Sequence, residues 1–204
     1  MRRILFLVLA LALLASCVKL ERQPVDKRFY SLDVVRAAAP PASEATSTRG
    51  TLLVRRVHMS PRCAGRELVY RMGESNWTAD YYNTFFVSPA DMLSQDLRAW
   101  LAASRLYANV VDPGSLVEPE LILEGNVTSL HGDFFAKPAQ AVVEMQFLLL
   151  QNAGAEHRVL LTWNVRRTAP LAGNTPQELV RALQSAVAGA FTDLESALRS
   201  APSK

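Results

Sequence analysis

The sequence predicts an α+β fold: a single domain with a mostly antiparallel sheet and two amphipathic helices packed on one face of it. Three observations carry this. Two stretches, opening at Pro89 and Pro176, place apolar residues three and four apart, the period of a helix with one buried stripe. Others, most clearly Ala139 to Leu150, alternate with the period of two that belongs to a strand. The chain has 204 residues, 50% hydrophobic and 20% charged. That suffices for one sizeable core and excludes a disordered chain, a collagen-like repeat and a polytopic membrane protein.

The N-terminus reads as a processing signal. Met1-Arg2-Arg3 is a short positive segment, and Ile4 to Ala15 is an uninterrupted apolar run of 12 residues. Crossing hydrocarbon takes roughly 20, so the run fits the apolar region of a secretory signal peptide. Leu14-Ala15-Ser16-Cys17 then reads as a lipobox. Its small residues let the extended chain enter a peptidase groove, and the Cys17 thiol receives the lipid. The competing reading is an ordinary secretory peptide with an incidental Cys near its end. The expected organisation is a signal peptide at 1–16, a lipidated tether at 17–27 and one domain at 28–204. Val18, standing where an Asp would retain the protein at the inner membrane, favours the periplasmic face of the outer membrane. The net charge is +3, and losing Arg2 and Arg3 with the signal takes it to +1. Nothing in that balance demands a nucleic-acid partner.

Phe29-Tyr30-Ser31-Leu32 is a short strand candidate, and Arg36 to Gly50 reads as an exposed loop rich in Ala, Pro, Ser and Thr. Leu52, Val54 and Val57 mark a strand from Thr51 to about His58. After a turn at Pro61 to Gly65, Glu67 to Met72 and Trp77 to Val87 form a hairpin about Gly73-Glu74-Ser75-Asn76. Trp77, Tyr81, Tyr82, Phe85 and Phe86 either fill the sheet–helix interface or form a ligand platform. Ser88 as N-cap, Pro89 at the first position and Asp91 in the first turn open a helix to about Ser104, with Leu93, Leu97, Trp100 and Leu101 as its stripe.

A strand at Ala108 to Val111 ends at Asp112-Pro113-Gly114, and a long strand at Glu120 to Leu130 is interrupted by Gly125. From Ala139 to Leu150, Ala141, Val143, Met145, Phe147 and Leu149 share one face. The other face mixes Val142, Glu144, Gln146, Leu148 and Leu150. Val142, Leu148 and Leu150 are therefore surplus apolar surface, a candidate contact for a partner or a second copy of the chain. Arg158 to Arg167 pairs back, with Val159, Leu161, Trp163 and Val165 inward. Thr175-Pro176-Gln177-Glu178 is a capping box. It opens a helix to about Leu198, with Leu179, Leu183, Val187, Ala190, Phe191, Leu194 and Leu198 on one stripe.

No pattern of catalytic residues stands out. The sequence holds no G-x-S-x-G, H-E-x-x-H or phosphate-binding loop. His58, His131 and His157 are scattered, which argues against a zinc site, and no cofactor or metal is expected. His131-Gly132-Asp133 reads as a turn or bulge between strands. Cys63 is a buried apolar residue, a reactive thiol or an intersubunit bridge. Arg55, Arg56, Arg62, Arg66 and Arg71 form either a basic patch for anionic headgroups or a solvated sheet edge.

Certain pieces fall in a recognisable order: the lipobox, Phe29-Tyr30-Ser31-Leu32, and Leu68-Val69-Tyr70-Arg71 before an aromatic strand. Pro89, Leu93, Leu97 and Leu101 follow, then Ser104-Arg105-Leu106 and Val110-Val111. Leu123-Glu124-Gly125 and Leu130-His131-Gly132-Asp133-Phe134 complete the set. Together they resemble the ABC-type transport auxiliary lipoproteins over nearly the whole mature chain; the 36–50 stretch is the least similar. The resemblance implies a non-catalytic, lipid-anchored periplasmic component. Its partners would be an ABC permease, its ATPase and an MCE-domain protein that carry lipids between two membranes. Only Cys17 transfers as a defined site. The alternative is a lipoprotein that itself binds and carries a lipid, which needs an apolar cavity. A periplasmic enzyme would need a nucleophile that the sequence does not offer.

Overall fold

The computed structural model describes residues 26–37, 49–154 and 156–202. In chain order they form β1 (Arg28–Tyr30), β2 (Arg49–Val54), β3 (His58–Met59), β4 (Glu67–Arg71), β5 (Trp77–Phe85), α1 (Pro89–Ser104), β6 (Tyr107–Val111), β7 (Leu121–Asp133), β8 (Gln140–Ala153), β9 (Glu156–Pro170) and α2 (Pro176–Ser200). All the strands belong to one sheet. Cys17 and most of the 36–50 stretch lie outside the described residues.

The spine of the sheet is β7. Along one side β8 runs antiparallel to it from Gln151 opposite Leu121 to Gln140 opposite Asp133, and β9 runs antiparallel to β8. Along the other side three short strands line up end to end, all parallel to β7: β2 at Leu121–Leu123, β3 at Asn126–Val127 and β4 at Gly132–Asp133. Beyond β2 lies β6, and beyond β4 lie β5 and then β1. Long antiparallel ladders thus carry most of the pairing, and the parallel ones are short joins.

Two boundaries differ from expectation. The single strand foreseen from Thr51 to His58 is two strands. Between them the Val57 N–H leaves the ladder and donates to Ser94 Oγ of α1 at 2.8 Å. The long strand foreseen with a break at Gly125 runs straight through it. Gly125 is needed because the Phe147 ring lies close: a Cβ there would stand 3.2 Å from Phe147 Cε1. The irregularity in β7 falls instead between Val127 and Ser129.

One face of the sheet and both helices close a single core. Every foreseen stripe residue of α1 and α2 is buried, as is the odd-numbered face of β8 from Ala141 to Leu149. The two helices meet where Trp100 sits edge-on to Phe191, ring centroids 5.6 Å apart. On β9, Leu161, Trp163 and Val165 pack partly against the core but Val159 is exposed. A register shift between Leu149 and Leu150 displaces that end of the ladder.

The helix ends show which polar partners the sequence supplies. Ser88 precedes α1, but its side chain makes no cap bond; Asp91 in the first turn pairs with Arg56 at 2.7 Å instead. Thr175 Oγ1 accepts the Glu178 N–H at 3.3 Å. The Glu178 carboxylate turns forward to Arg181 at 2.5 Å, so only half of the capping box forms. At the far end of α2, carbonyls left without helical partners need donors. Arg49 supplies them, donating to Leu198 O at 2.6 Å, Arg199 O at 3.0 Å and Ala201 O at 2.9 Å. Arg49→Ala is expected to lower stability by about 2 kcal/mol, since charge-assisted bonds are the stronger kind. An unchanged urea midpoint would show that water replaces the cap.

Candidate interaction face

The face of the sheet opposite the helices is open. On it β7 presents Glu124, Asn126, Ser129, His131 and Asp133, and β8 presents Val142, Glu144, Gln146 and Leu148. Two shallow troughs cross it. One, of about 540 Å³, runs between Arg55, His58, Glu124, Gln146, Leu148 and Asn164. The other, of about 820 Å³, lies among Arg62, Arg71, Trp77, His131, Val142 and Arg166.

Ion pairs and hydrogen bonds lace the floor. Arg166 Nε meets Glu144 Oε1 at 2.8 Å, and Ser129 Oγ donates to Glu144 Oε2 at 3.0 Å. Arg71 donates to Asp133 Oδ2 at 3.3 Å, while Asp133 Oδ1 accepts the N–H groups of Phe135 and Ala136. Arg55 pairs with Glu124 at 2.6 Å. Of the five arginines read as a possible basic patch, Arg55, Arg56 and Arg71 each face an acid, and Arg66 donates to Phe86 O at 3.0 Å. Their charge is spread in local pairs rather than gathered in one patch.

His131-Gly132-Asp133 is not the turn or bulge foreseen for it but lies in regular register within β7. Gly132 faces the core, where a Cβ would stand 2.9 Å from Leu179 Cδ1. His131 and Asp133 therefore both face the open side, with Ser129 in line. The three do not form a relay. Ser129 is committed to Glu144, Asp133 to Arg71 and two backbone amides, and His131 stands edge-on to Trp77 with centroids 4.8 Å apart. Burial holds the His131 imidazole below its ordinary pKa, against the opposing pull of Asp133 and Glu144. Among the described residues no group of three His, Cys, Asp or Glu stands close enough to hold a metal ion. Cys63 is buried in the core cluster, and burial pushes its thiol pKa up, which suits an apolar packing role.

The three foreseen contact residues divide. Leu148 lines the smaller trough and is half-buried. Val142 and Leu150 are only 2% and 7% exposed, although neither belongs to the helix-side core. In the ladder Val142 lies between His131 and Thr168, and Leu150 between Ile122 and Val159. Flanking side chains thus cover most of the surplus apolar surface, and Leu148 is what remains.

Of the aromatic residues from Trp77 to Phe86, Phe85 alone takes the core-filling role. Phe85 is buried, but Trp77, Tyr81, Tyr82 and Phe86 are exposed. The pairing of β4 with β5 jumps from Glu67–Thr84 to Leu68–Asp80, leaving residues 81–83, with Tyr81 and Tyr82, in a bulge.

The fold has relatives among solved proteins. A crystal structure of protein XCC0632 from Xanthomonas campestris superimposes with a TM-score of 0.68 at 16% identity, covering 82% of this chain and 92% of that one. An uncharacterized protein gives 0.66 at 16% identity, covering 85% and 99%. PelC from Paraburkholderia phytofirmans, solved as a dodecamer, gives 0.42 at 13% identity, covering 70% and 86%. No curated protein matches the chain. Residues 30–194, from β1 into the last turns of α2, match the ABC-type transport auxiliary lipoprotein component, and the chain belongs to that family.

Proposed function

We propose that this protein is a lipid-anchored periplasmic accessory component of an ABC/MCE-type intermembrane lipid transport system. It docks or assembles the system rather than catalysing a reaction. The family match across the whole folded body carries the reading. The lipobox at Cys17 supports a lipid anchor, and Val18 supports the outer membrane as its site. The open sheet face is the natural docking surface: it is broad, shallow and ion-paired, with Leu148 as its apolar member above buried Val142 and Leu150. Such a lining suits a protein partner, or a second copy of the chain, better than the acyl chains a lipid carrier must enclose.

The test is crosslinked recovery of the lipidated protein from its native membranes, with size analysis of the purified protein. MCE and permease components are expected in the recovered material. Leu148→Glu, which strands a charge in the contact, is expected to reduce their recovery about tenfold while leaving the fold intact. Recovery of neither component, with normal outer-membrane lipid composition in a deletion strain, would remove the transport reading. Co-purified lipid in stoichiometric amount would favour a carrier instead.

A further inference from the structure

An exposed aromatic ridge runs along the β1–β5 edge of the sheet. Phe29 and Phe86 meet edge to face at 6.2 Å, and Tyr81 and Tyr82 do the same at 5.2 Å. Lys27 joins the two pairs: it is two residues before Phe29, and its ammonium lies 3.7 Å over the Tyr81 ring. Tyr81, Phe86 and Phe29 are 64%, 65% and 52% exposed. Rings so placed gain nothing for the core.

The ridge is built rigidly. Tyr81 and Tyr82 stand on the bulge of β5, and Asp80 fixes that bulge. Its carboxylate accepts the N–H groups of Tyr82 and Asn83 at 2.9 and 3.0 Å, Asn83 Nδ2 at 2.8 Å and the Tyr70 hydroxyl at 2.8 Å. The Asp80 carboxylate is thereby held to the loop. Lys27 and Arg28 adjoin Phe29 in the chain, and the Lys27 ammonium lies on the Tyr81 ring, so cations stand among the rings. Arg66 is held at the ridge through Phe86 O.

Position decides the occupant. The chain reaches the ridge directly from the tether, for Lys27 and Phe29 are themselves ridge residues. Lys27 is ten positions after Cys17, which spans at most about 35 Å and far less when not taut. We propose that this ridge seats on the anionic phospholipid surface that holds the anchor, with Phe29, Tyr81, Tyr82 and Phe86 in the headgroup layer and Lys27, Arg28 and Arg66 on its phosphates. Aromatic rings with a polar rim and flanking cations are what that layer favours. The inference rests on Cys17 as the anchor but not on which transport components the protein meets. Seating would fix the orientation of the domain, so that the acyl chains act as more than a leash.

Hydroxyl-radical labelling read by mass spectrometry tests this. Lipidated protein in vesicles of phosphatidylethanolamine and phosphatidylglycerol is compared with the Cys17→Ser mature chain in solution. Tyr81, Tyr82 and Phe86 are expected to be labelled several-fold less on the vesicles, while Leu116, fully exposed elsewhere, is labelled equally in both. In a second measurement the Cys17→Ser chain co-sediments with the same vesicles. Tyr81→Ser with Phe86→Ser is expected to lower that partition about tenfold, and the loss of anionic lipid to lower it again. Equal labelling of the ridge in both states would overturn the proposal. So would protection that appears without vesicles and grows with protein concentration, because a second copy would then be the occupant. Recovery of transport components is a separate readout and stands whichever way this one falls.

Discussion

Phe191→Asp is expected to leave the domain largely unfolded at room temperature. Phe191 is among the largest fully buried side chains, and its ring meets Trp100 where the two helices touch. Removing the ring alone costs about 3–5 kcal/mol through lost burial and the cavity left behind. The new carboxylate would lie against Trp100 in that core, and Arg36, one turn along at Glu195, is already forked onto that acid, so the change adds either a desolvation penalty or a forced protonation. A domain of this kind is stable by only about 5–15 kcal/mol, so the sum rivals the whole. Circular dichroism during urea titration checks it: no cooperative transition, or a midpoint near zero urea. Leu97→Asp should behave the same way, because Leu97 is the corresponding centre of the α1 stripe. Leu148→Glu should melt close to the parent, because Leu148 lies on the other face of the sheet. If Phe191→Asp unfolds cooperatively at the parent midpoint, the buried stripe of α2 is misassigned.

That contrast follows the line between what was legible in the sequence and what was not. The helix stripes and the odd-numbered face of β8 could be read because one regular element, packed against one core, writes its period directly into the residues. The errors sit where two elements trade partners. Val57 looked like the end of a strand until a serine on α1 took its amide. Gly125 looked like a break because a glycine's reason, here the Phe147 ring, lies on the neighbouring strand. Tyr81 and Tyr82 could be read as core or platform because composition does not mark the bulge they stand on. On the open face, the Arg/Glu and Arg/Asp pairs join residues distant in sequence, and nothing local marks which arginine meets which acid. Cys17 differs in kind: its reading rests on local chemistry over four residues and lies outside the described residues.

Glu195→Gln is expected to cost about 3 kcal/mol at pH 7, and that cost should vanish as the pH falls. Glu195 lies in the buried stripe of α2 beside Leu194, only 7% exposed, and the sequence gives no local reason for an acid there. The structure supplies three donors. Arg36 forks onto both carboxylate oxygens at 2.9 Å, Arg199 donates at 2.6 Å from the next turn, and the Trp100 indole N–H donates at 2.9 Å. Together they tie the N-terminal segment, α1 and α2 at one point. Led by the Arg36 bond and against the opposing effect of burial, they lower the Glu195 pKa from 4.5 to about 2. A carboxyl whose folded pKa lies below its unfolded one stabilises fully above the unfolded value and loses that contribution as the pH falls through the folded one. The shift is worth about 3 kcal/mol at neutral pH. The difference in unfolding free energy between parent and Glu195→Gln should therefore be flat from pH 8 to about 5, then shrink steadily toward pH 2. Glu195→Ala should cost more, about 3–5 kcal/mol, because it leaves Arg36 and Trp100 without their shared acceptor. Arg36→Met should cost less in the Glu195→Gln background than in the parent, since the pair is then already broken. A Glu195→Gln difference that stays constant down to pH 2 would place the cost in packing at the helix crossing and not in the charge.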